Sequence, residues 1–217
     1  MKTPTLNISE LFFSIQGESS YAGRPCVFIR LAGCNLHCHF CDAGYANAEP
    51  PTRRSVTEIL AFVAEYPGFL VEVTGGEPLL QAEVYPLLES LLASGRQVLL
   101  ETNGSLPLDR VPTGVIKIVD VKCPDSGTGR SFAQNNLRLL GPEDELKFVI
   151  SSRDDYNWAL EFLREHHLPG PRIVHFSPVT TLLEPGALAD WILADRLPVR
   201  LQIQLHKVLW PGALRGK

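Results

Sequence analysis

Residues 28–41 read FIRLAGCNLHCHFC, an apolar strand-like run that leads directly into a loop carrying Cys34, Cys38 and Cys41. Such a run followed by a short polar loop is typical of a buried strand in an α/β protein. Three thiolates on one short loop can bind three irons of a [4Fe–4S] cluster, which leaves the fourth iron open to a small molecule. The stretch therefore predicts a strand of the sheet and a metal site at its carboxyl end.

The same loop also fits a structural zinc site. His37 and His39 lie between the cysteines, and three thiolates with one imidazole are a common zinc ligand set. The residues of the loop alone leave both metals open. Colour separates them, because a zinc protein is colourless and an iron–sulfur protein purified without oxygen is brown.

Composition limits the classes of function. Of 217 residues, 45% are apolar and 20% charged, as in ordinary globular proteins. The net charge of −4 argues against broad nucleic-acid binding, which needs a basic surface. The sequence shows neither an apolar run of about 20 residues nor a signal-peptide pattern, so we expect a cytoplasmic protein without a membrane partner. In a reducing cytosol, clustered cysteines indicate a metal site and not disulfides.

Outward from the loop, strand-like and helix-like segments alternate, which predicts parallel βαβ units. The predicted core strands are 27–32, 69–74, 97–102, 116–121, 145–150 and 172–176. The predicted helices are 56–65, 79–93, 154–166 and 186–195. Two further strands, 8–15 and 199–205, are expected to flank this core.

The predicted architecture is an incomplete TIM-type barrel. Segment 122–136 is rich in Pro, Gly, Ser and Asp, so a loop is expected there in place of a crossover helix. About six parallel strands with fewer helices give an α/β fold with a partial barrel, whose ligands gather at the carboxyl ends of the strands. No repeat or linker divides the sequence, so residues 1–217 are expected to form one domain.

Polar motifs follow the next two predicted strands. TGGEP at 74–78 ends one of them, and ETNG at 101–104 ends the other. Adjacent glycines let a backbone approach a ligand closely, and Glu77 can accept a hydrogen bond from an ammonium. QGE at 16–18 and QLHK at 204–207 lie near the two ends of the chain.

The three-cysteine loop, with an aromatic residue before its last cysteine, resembles that of the radical S-adenosylmethionine (SAM) superfamily. TGGEP and ETNG resemble superfamily elements near the SAM amino group and ribose. With QGE and QLHK, the chain from about residue 9 to residue 210 is similar to the 7-carboxy-7-deazaguanine synthase (QueE) family of the queuosine and deazapurine pathways.

The resemblance implies a reaction and its components. The family converts 6-carboxy-5,6,7,8-tetrahydropterin into 7-carboxy-7-deazaguanine with loss of ammonia. A reduced [4Fe–4S] cluster cleaves SAM to a 5′-deoxyadenosyl radical, which abstracts hydrogen from C6 of the pterin. The hydrogen is later returned, so SAM is recycled. The resemblance also implies a flavodoxin or ferredoxin as electron donor, a homodimer, and terminal extensions that complete the substrate pocket.

The resemblance carries over to individual residues. Cys34, Cys38 and Cys41 are the implied cluster ligands. The residues matched to the substrate pocket are Ile15, Gln16, Gly17, Glu18, Arg30, Thr74 and His206. The residues matched to SAM are Phe40, Asp42, Gly76, Glu77, Glu101, Lys122, Cys123, Pro124 and Ser177.

The chemistry of three of these side chains suits such a substrate. Arg30 can clamp a carboxylate with two parallel hydrogen bonds. Gln16 offers a donor and an acceptor to a heterocycle edge, and Glu18 can accept from N–H groups. Each has a structural alternative, since Arg30 could pair with a protein carboxylate and the other two could face water.

One position departs from the family. Many members have Cys-Asp-Thr at the third cysteine, and the threonine hydroxyl helps to hold Mg2+ against the substrate. Here the segment is Cys41-Asp42-Ala43, and alanine offers no oxygen to a cation that prefers oxygen ligands. Mg2+ is therefore expected to bind more weakly or to be dispensable.

Two other functions are weighed against this one. A glycyl-radical activating enzyme shares the cysteine loop but acts on a protein partner. A non-catalytic zinc-binding module would account for the cysteines alone. QGE and QLHK favour the small pterin over the first, and TGGEP with the α/β pattern weighs against the second.

Overall fold

The computed structural model describes residues 4–166, 173–213 and 215–217. Within them, nine strands form one sheet in the order β3-β1-β2-β4-β5-β6-β7-β8-β9. The strands are β1 (Thr5–Ile15), β2 (Pro25–Leu31), β3 (Thr52–Ser55), β4 (Leu70–Gly75), β5 (Val98–Thr102), β6 (Val115–Asp120), β7 (Glu145–Ile150), β8 (Ile173–Pro178) and β9 (Arg200–Leu201). The helices are α1 (Tyr45–Ala48), α2 (Val56–Ala64), α3 (Val84–Ala93), α4 (Arg153–His166), α5 (Pro185–Ala194) and α6 (Leu205–Leu209).

The sheet is an unclosed, mostly parallel barrel. β2 and β4 to β9 pair in parallel, and β1 pairs antiparallel with β2 on one side and with β3 on the other. The edge strands β3 and β9 do not pair with each other in the described part of the chain. This arrangement confirms the predicted α/β fold with an incomplete barrel.

Alternation along each strand creates two different surfaces. In β4, Val71 and Val73 pack outward into the main core, beneath α2 and α3. Leu70, Glu72 and Thr74 point to the other face of the sheet, as the period of two requires. That inner face has an apolar lower layer, which includes Cys26, Phe28, Leu70, Leu99 and Ile118. Its polar upper layer lies at the carboxyl ends of the strands.

Several local features follow directly from the sequence. Ser55 and Glu58 form a reciprocal capping box at the start of α2. Gly95 follows α3 with φ of +75°, the left-handed conformation of a helix C-terminus. Between β6 and β7 lie only the short 3-10 turns Pro124–Ser126 and Gln134–Leu139, so a loop does replace the crossover helix.

Two predicted elements are wrong in part. The helix expected over 79–93 begins at Val84, because Gln81 adopts an extended backbone and its side chain bonds the main chain of Asn7 and Ala32. The strand expected over 199–205 is only Arg200–Leu201, and Leu205 already belongs to α6. Arg172, the expected start of the strand that became β8, lies outside the described residues.

Candidate active site

A cavity of about 530 Å³ opens at the carboxyl ends of the parallel strands. The cysteine loop, the β1–β2 loop and the C-terminal segment complete its wall. It brings together most of the residues predicted for the site. They are Ile15, Gln16, Gly17, Glu18, Arg30, Cys34, Cys38, Phe40, Cys41, Asp42, Thr74, Gly76, Glu101, Lys122 and His206.

The cysteine loop is braced from both sides. At its start, the Cys34 N–H donates to Asn47 Oδ1 at 3.1 Å. Further on, the His39 N–H donates to the Ser126 carbonyl at 3.0 Å, and the His39 ring lies against Gly127. A Cβ at Gly127 would come within 2.7 Å of that ring, and its φ of +78° also favours glycine.

The strand end with two glycines contacts the start of the cysteine loop. The Gly76 N–H donates to the Leu31 carbonyl at 3.1 Å, and the Glu77 N–H donates to the Gly33 carbonyl at 2.8 Å. A Cβ on Gly76 would lie 2.1 Å from the Gly33 oxygen and 2.9 Å from Cys34 Cβ. The lack of side chains at Gly75 and Gly76 lets the end of β4 contact the backbone of Leu31 and Gly33, and both glycines also line the cavity.

Glu77 has a structural role in place of the predicted SAM contact. Its side chain is fully buried and does not line the cavity. Its carboxylate accepts from the N–H groups of Leu79 and Asn103 and from the Thr102 hydroxyl, at 2.8 to 3.0 Å. Burial raises the pKa of Glu77, although these hydrogen bonds oppose the rise. The carboxylate thus ties the end of β4 to the end of β5.

Three other predicted SAM residues lie outside the cavity lining. Cys123 packs in the main core, where burial raises the pKa of its thiol, while its neighbour Lys122 faces the cavity. Ser177 is buried, and the next residue, Pro178, lines the cavity in its place. Pro124 belongs to an exposed turn. The resemblance carries over whole segments, whereas the backbone presents only some of their residues to the cavity.

Gln16 lines the cavity and is also bonded to the protein. Its side-chain carbonyl accepts from the Glu18 N–H at 3.0 Å, and its amide nitrogen donates to Glu72. Burial and the neighbouring carboxylates of Glu101 and Glu18 raise the pKa of Glu72 well above its usual value. The bond to the Glu18 N–H helps to position Glu18, and the amide keeps one further N–H donor.

Arg30 is fixed on one side only. Its Nε donates to Glu10 Oε1 at 2.8 Å, and the Tyr45 hydroxyl donates to the same oxygen at 2.7 Å. Its guanidinium lies 5.7 Å from the ring centroid of Phe12 and 5.9 Å from that of Tyr45. No hydrogen bond to the described residues uses its two terminal nitrogens, and the residue lines the cavity.

Residues from three parts of the chain meet beside the cysteine loop. Ligand atoms of Glu18, Asp42 and His206 lie within 4.8 Å of one another. The Gln204 amide bridges the two carboxylates, with distances of 2.6 Å to Glu18 Oε1 and 2.9 Å to Asp42 Oδ2. Burial would raise the pKa of Asp42, but Lys207 and Gln204 hold it well below its usual range.

Comparisons with known proteins decide the family. The profile of the Radical SAM superfamily matches residues 28–117. The 7-carboxy-7-deazaguanine synthase of Koribacter versatilis is 49% identical over 97% of this chain and all of that protein. The protein of the same name from Chlorobaculum tepidum is also 49% identical, over 97% of each chain. This chain belongs to the 7-carboxy-7-deazaguanine synthase family.

Solved structures agree with the fold. QueE from Escherichia coli superposes with a TM-score of 0.78 over 93% of this chain and 95% of that one, at 24% identity. The Streptococcus suis protein SuiB matches more distantly, with a TM-score of 0.54 and 14% identity over 84% of this chain. The chain is therefore a radical SAM enzyme of the 7-carboxy-7-deazaguanine synthase family, which decides against the activating-enzyme and zinc-module alternatives.

The cysteine loop fits the [4Fe–4S] cluster that this family implies. Cys34, Cys38 and Cys41 are free thiols that line the cavity. Tetrahedral zinc at about 2.3 Å from each ligand would place the ligand atoms about 3.8 Å apart. Among the described residues, no three Cys or His ligand atoms of this loop lie within 4.8 Å of one another. The loop therefore does not present the compact ligand set that tetrahedral zinc requires.

Several residues of the site were missed from the sequence. Glu72, Asp120 and Lys147 line the cavity from the inner faces of β4, β6 and β7. A charged residue within an apolar strand of a parallel sheet was the available signal, because both faces of such a sheet are usually buried. Gln202 carries no comparable signal, whereas Gln204 belongs to the QLHK motif.

Proposed function

We propose that this chain converts 6-carboxy-5,6,7,8-tetrahydropterin to 7-carboxy-7-deazaguanine with loss of ammonia, in queuosine or 7-deazapurine biosynthesis. The observation that carries the proposal is that one cavity joins the three-cysteine loop to a half-fixed arginine and a set of acceptor groups. The two relatives at 49% identity bear the name of this reaction.

The cluster and SAM, when bound, supply the radical that takes hydrogen from C6 of the pterin and gives it back. The cluster would be held by Cys34, Cys38 and Cys41. SAM would be held by a set that lines the cavity near this loop. That set is Phe40, Asp42, Gly76, Glu101 and Lys122.

The chain's own groups bind and orient the substrate. The terminal nitrogens of Arg30 bind the pterin carboxylate, since its Nε is already occupied by Glu10. Glu18, whose pKa is lowered by Lys147 against the effect of burial, accepts from the N–H edge of the ring. Thr74, His206 and the main chain of Ile15 and Gly17 complete the pocket.

The decisive experiment is anaerobic incubation of reconstituted protein with SAM, dithionite and the pterin, followed by mass spectrometry. Formation of 7-carboxy-7-deazaguanine is expected. Cleavage of SAM without that product would support the radical chemistry but would show that the pterin is not the substrate. Neither product from protein with a verified cluster would refute the proposal altogether.

We further propose that Mg2+ is bound weakly or is dispensable. Ala43 has no side-chain oxygen. The nearby carboxylates of Glu18 and Asp42 already bond Lys147, Lys207 and Gln204, so we assign no protein ligand to the cation. If Mg2+ is dispensable, product formation is expected to persist after treatment with EDTA and desalting. A steep loss that Mg2+ alone restores would contradict the dispensable version and leave weak binding.

The setting of the enzyme completes the proposal. No helix in the described residues is both long and apolar enough to cross a bilayer. We infer a cytoplasmic homodimer, reduced by a flavodoxin or ferredoxin, in which residues 1–217 form one domain. Light scattering on the anaerobic holoenzyme tests the dimer, and turnover with reduced flavodoxin in place of dithionite tests the donor.

A further inference from the structure

We propose that Lys147 is a positioning residue that holds the carboxylates of Glu18 and Glu101 as one acceptor pair and so supports binding of the pterin and of SAM together. This inference rests on the proposed function, because it uses the two ligands named there. Lys147 lies in the middle of β7, within the apolar run ELKFVI, and points to the inner face of the barrel.

The Lys147 ammonium is surrounded by three carboxylates. It donates hydrogen bonds to Glu18 Oε2 at 2.8 Å and to Glu101 Oε1, and Asp120 Oδ2 lies 3.5 Å away as a third negative charge. The two hydrogen bonds hold Glu18 and Glu101 on one cation. The side chain is only 6% exposed, so it acts through these carboxylates and not by touching the reacting atoms.

Glu18 and Glu101 reach Lys147 from separate parts of the fold. Glu18 belongs to the β1–β2 loop, and its carboxylate also accepts from the amides of Gln202 and Gln204 at 3.1 and 2.6 Å. Glu101 belongs to β5, and its other oxygen accepts from the Thr74 hydroxyl at 3.1 Å. Lys147 therefore joins the wall proposed for the pterin to the wall proposed for SAM.

The charges of the cavity show what this cation does. Glu18 faces Asp42 and His206 as well as Lys147, and Glu101 faces Arg30 and Glu72. Asp120 has its own partner in Lys122, at 2.8 Å. Burial lowers the pKa of Lys147, but Glu101, Glu18 and Asp120 raise it well above its usual value, so the ammonium stays charged. Without it, Glu18 and Glu101, whose side chains are 16% and 27% exposed, would lose the cation that they share.

Without their shared cation, Glu18 and Glu101 repel each other and are expected to turn away from the positions in which they face the ligands. An ionised carboxylate only accepts, whereas a protonated one also donates. The ring N–H groups of a pterin and the hydroxyls of a ribose are donors, so they need the ionised form. Loss of Lys147 is therefore expected to weaken both ligands, although it touches neither.

The test compares K147M and K147R with E18Q and E101Q in reconstituted holoenzyme. SAM affinity is measured by calorimetry without pterin, and the pterin KM by product formation at saturating SAM. K147M is expected to raise both constants by about tenfold or more. E18Q is expected to raise chiefly the pterin KM, and E101Q chiefly the dissociation constant of SAM. K147M should also release more 5′-deoxyadenosine per product than wild type.

K147R keeps the charge in the same strand but replaces a compact ammonium with a planar fork. It is expected to retain the fold and the iron content and to lose less affinity than K147M for each ligand. If K147M does not fold, K147R decides the matter: wild-type constants for both ligands would overturn the inference. If K147M folds, a dissociation constant of SAM and a pterin KM within twofold of wild type would also overturn the inference. A lower unfolding temperature as the sole defect of K147M would overturn it too.

The outcomes separate this inference from the proposed function. If wild type does not convert the pterin, the proposed substrate is refuted, and the SAM constants of K147M, K147R and E101Q still test the Glu101 half. If wild type converts the pterin and the Lys147 variants bind both ligands normally, only the present inference is refuted.

Discussion

The two walls of the cavity are built in different ways. The strand wall consists of the carboxyl ends of β2 and β4 to β7 with the cysteine loop, all bound to one continuous sheet. The terminal wall consists of the β1–β2 loop and the segment around Gln202 and Gln204. The second wall is joined by long-range contacts, such as the Ser19 N–H to Gln202 Oε1 at 2.7 Å and the Leu205 N–H to the Gly17 carbonyl at 2.9 Å.

The difference teaches where chemistry and selectivity reside in this fold. The strand wall carries the cysteines and the groups proposed for SAM, and its geometry is fixed by a hydrogen-bonded ladder. The terminal wall carries most of the groups proposed for the pterin. Substitutions in the strand wall are expected to lower the turnover rate itself. Substitutions in the terminal wall are expected to change chiefly the KM for the pterin.

The largest expected effect is loss of a cluster ligand from the strand wall. C38S is expected to lower activity by about a thousandfold or more, because the chemistry resides in the cofactor. The protein should stay folded, since the loop is braced at Cys34 and His39 without any metal. Iron content, visible absorbance and circular dichroism provide the check. C123A serves as the control, because Cys123 packs in the core and should leave the cluster intact.

A backbone substitution in the same wall comes next. G76A places a Cβ 2.1 Å from the Gly33 oxygen, so β4 and the cysteine loop must separate. Overpacking of this kind costs about 1–3 kcal/mol, and activity is expected to fall by about a hundredfold through a displaced cluster. G186A is the matched control, because nothing lies within 4 Å of its added methyl group. Equal activity in the two variants would contradict the close fit.

The terminal wall is expected to respond more mildly. Q202A removes the acceptor of the Ser19 N–H and one donor to Glu18, a loss of about 1 kcal/mol for each hydrogen bond. The pterin KM is expected to rise by roughly fivefold to tenfold, with little change in SAM affinity. Q134A, at an exposed position, provides the comparison. A larger change in SAM affinity than in the pterin KM would contradict the assignment of SAM to the strand wall and of the pterin to the terminal wall.

The smallest expected effect concerns Glu145 of β7, which contacts the β1–β2 loop. His175 Nε2 lies 2.7 Å from Glu145 Oε2, and the Ser20 N–H donates to the same carboxylate. Burial would raise the pKa of Glu145, but His175 and Ser20 lower it below its usual value of 4.5. This contribution to stability is present above pH 4.5 and is lost as the pH falls through the lowered value.

The variant E145Q lacks that titration. The difference in the free energy of unfolding between wild type and E145Q is expected to shrink as the pH is lowered from about 6 to about 4. The expected decrease is about 1 kcal/mol or less. Urea unfolding at a series of pH values measures it. A difference that stays constant across that range would show that the carboxylate does not titrate with folding.

The same division between the walls explains what sequence could predict. The strands that became β2 and β4 to β7 were placed closely, because their apolar runs and following motifs are local signals. Gly76 and the cysteines were found in the same way. The prediction for Glu77 is wrong because the motif says nothing about which donors surround the side chain. The Thr102 hydroxyl and the Asn103 N–H donate to its carboxylate and hold it inside the protein.

The terminal wall was harder for a physical reason. Gln202 acquires its partners only when the β1–β2 loop lies across the barrel, so no local pattern marks it. Gln204 stands in the QLHK motif, but the motif does not show that its amide bridges Glu18 and Asp42. Lys147 and Glu72 stand in runs that read as ordinary strands. Their importance depends on whether their side chains point to the inner face of the barrel. A shift of one residue in the predicted strand would move these side chains to the outer face.

The contact between Ser19 and Gln202 also has a consequence for synthesis on the ribosome. These residues are separated by 183 positions, so the early loop must wait for the late segment to emerge. At about 5–20 residues per second, the interval is on the order of ten seconds or more. During that time the cysteines have already emerged beside an unfinished pocket. Glu18 therefore stays without the amides of Gln202 and Gln204 while the strands of the strand wall have already emerged.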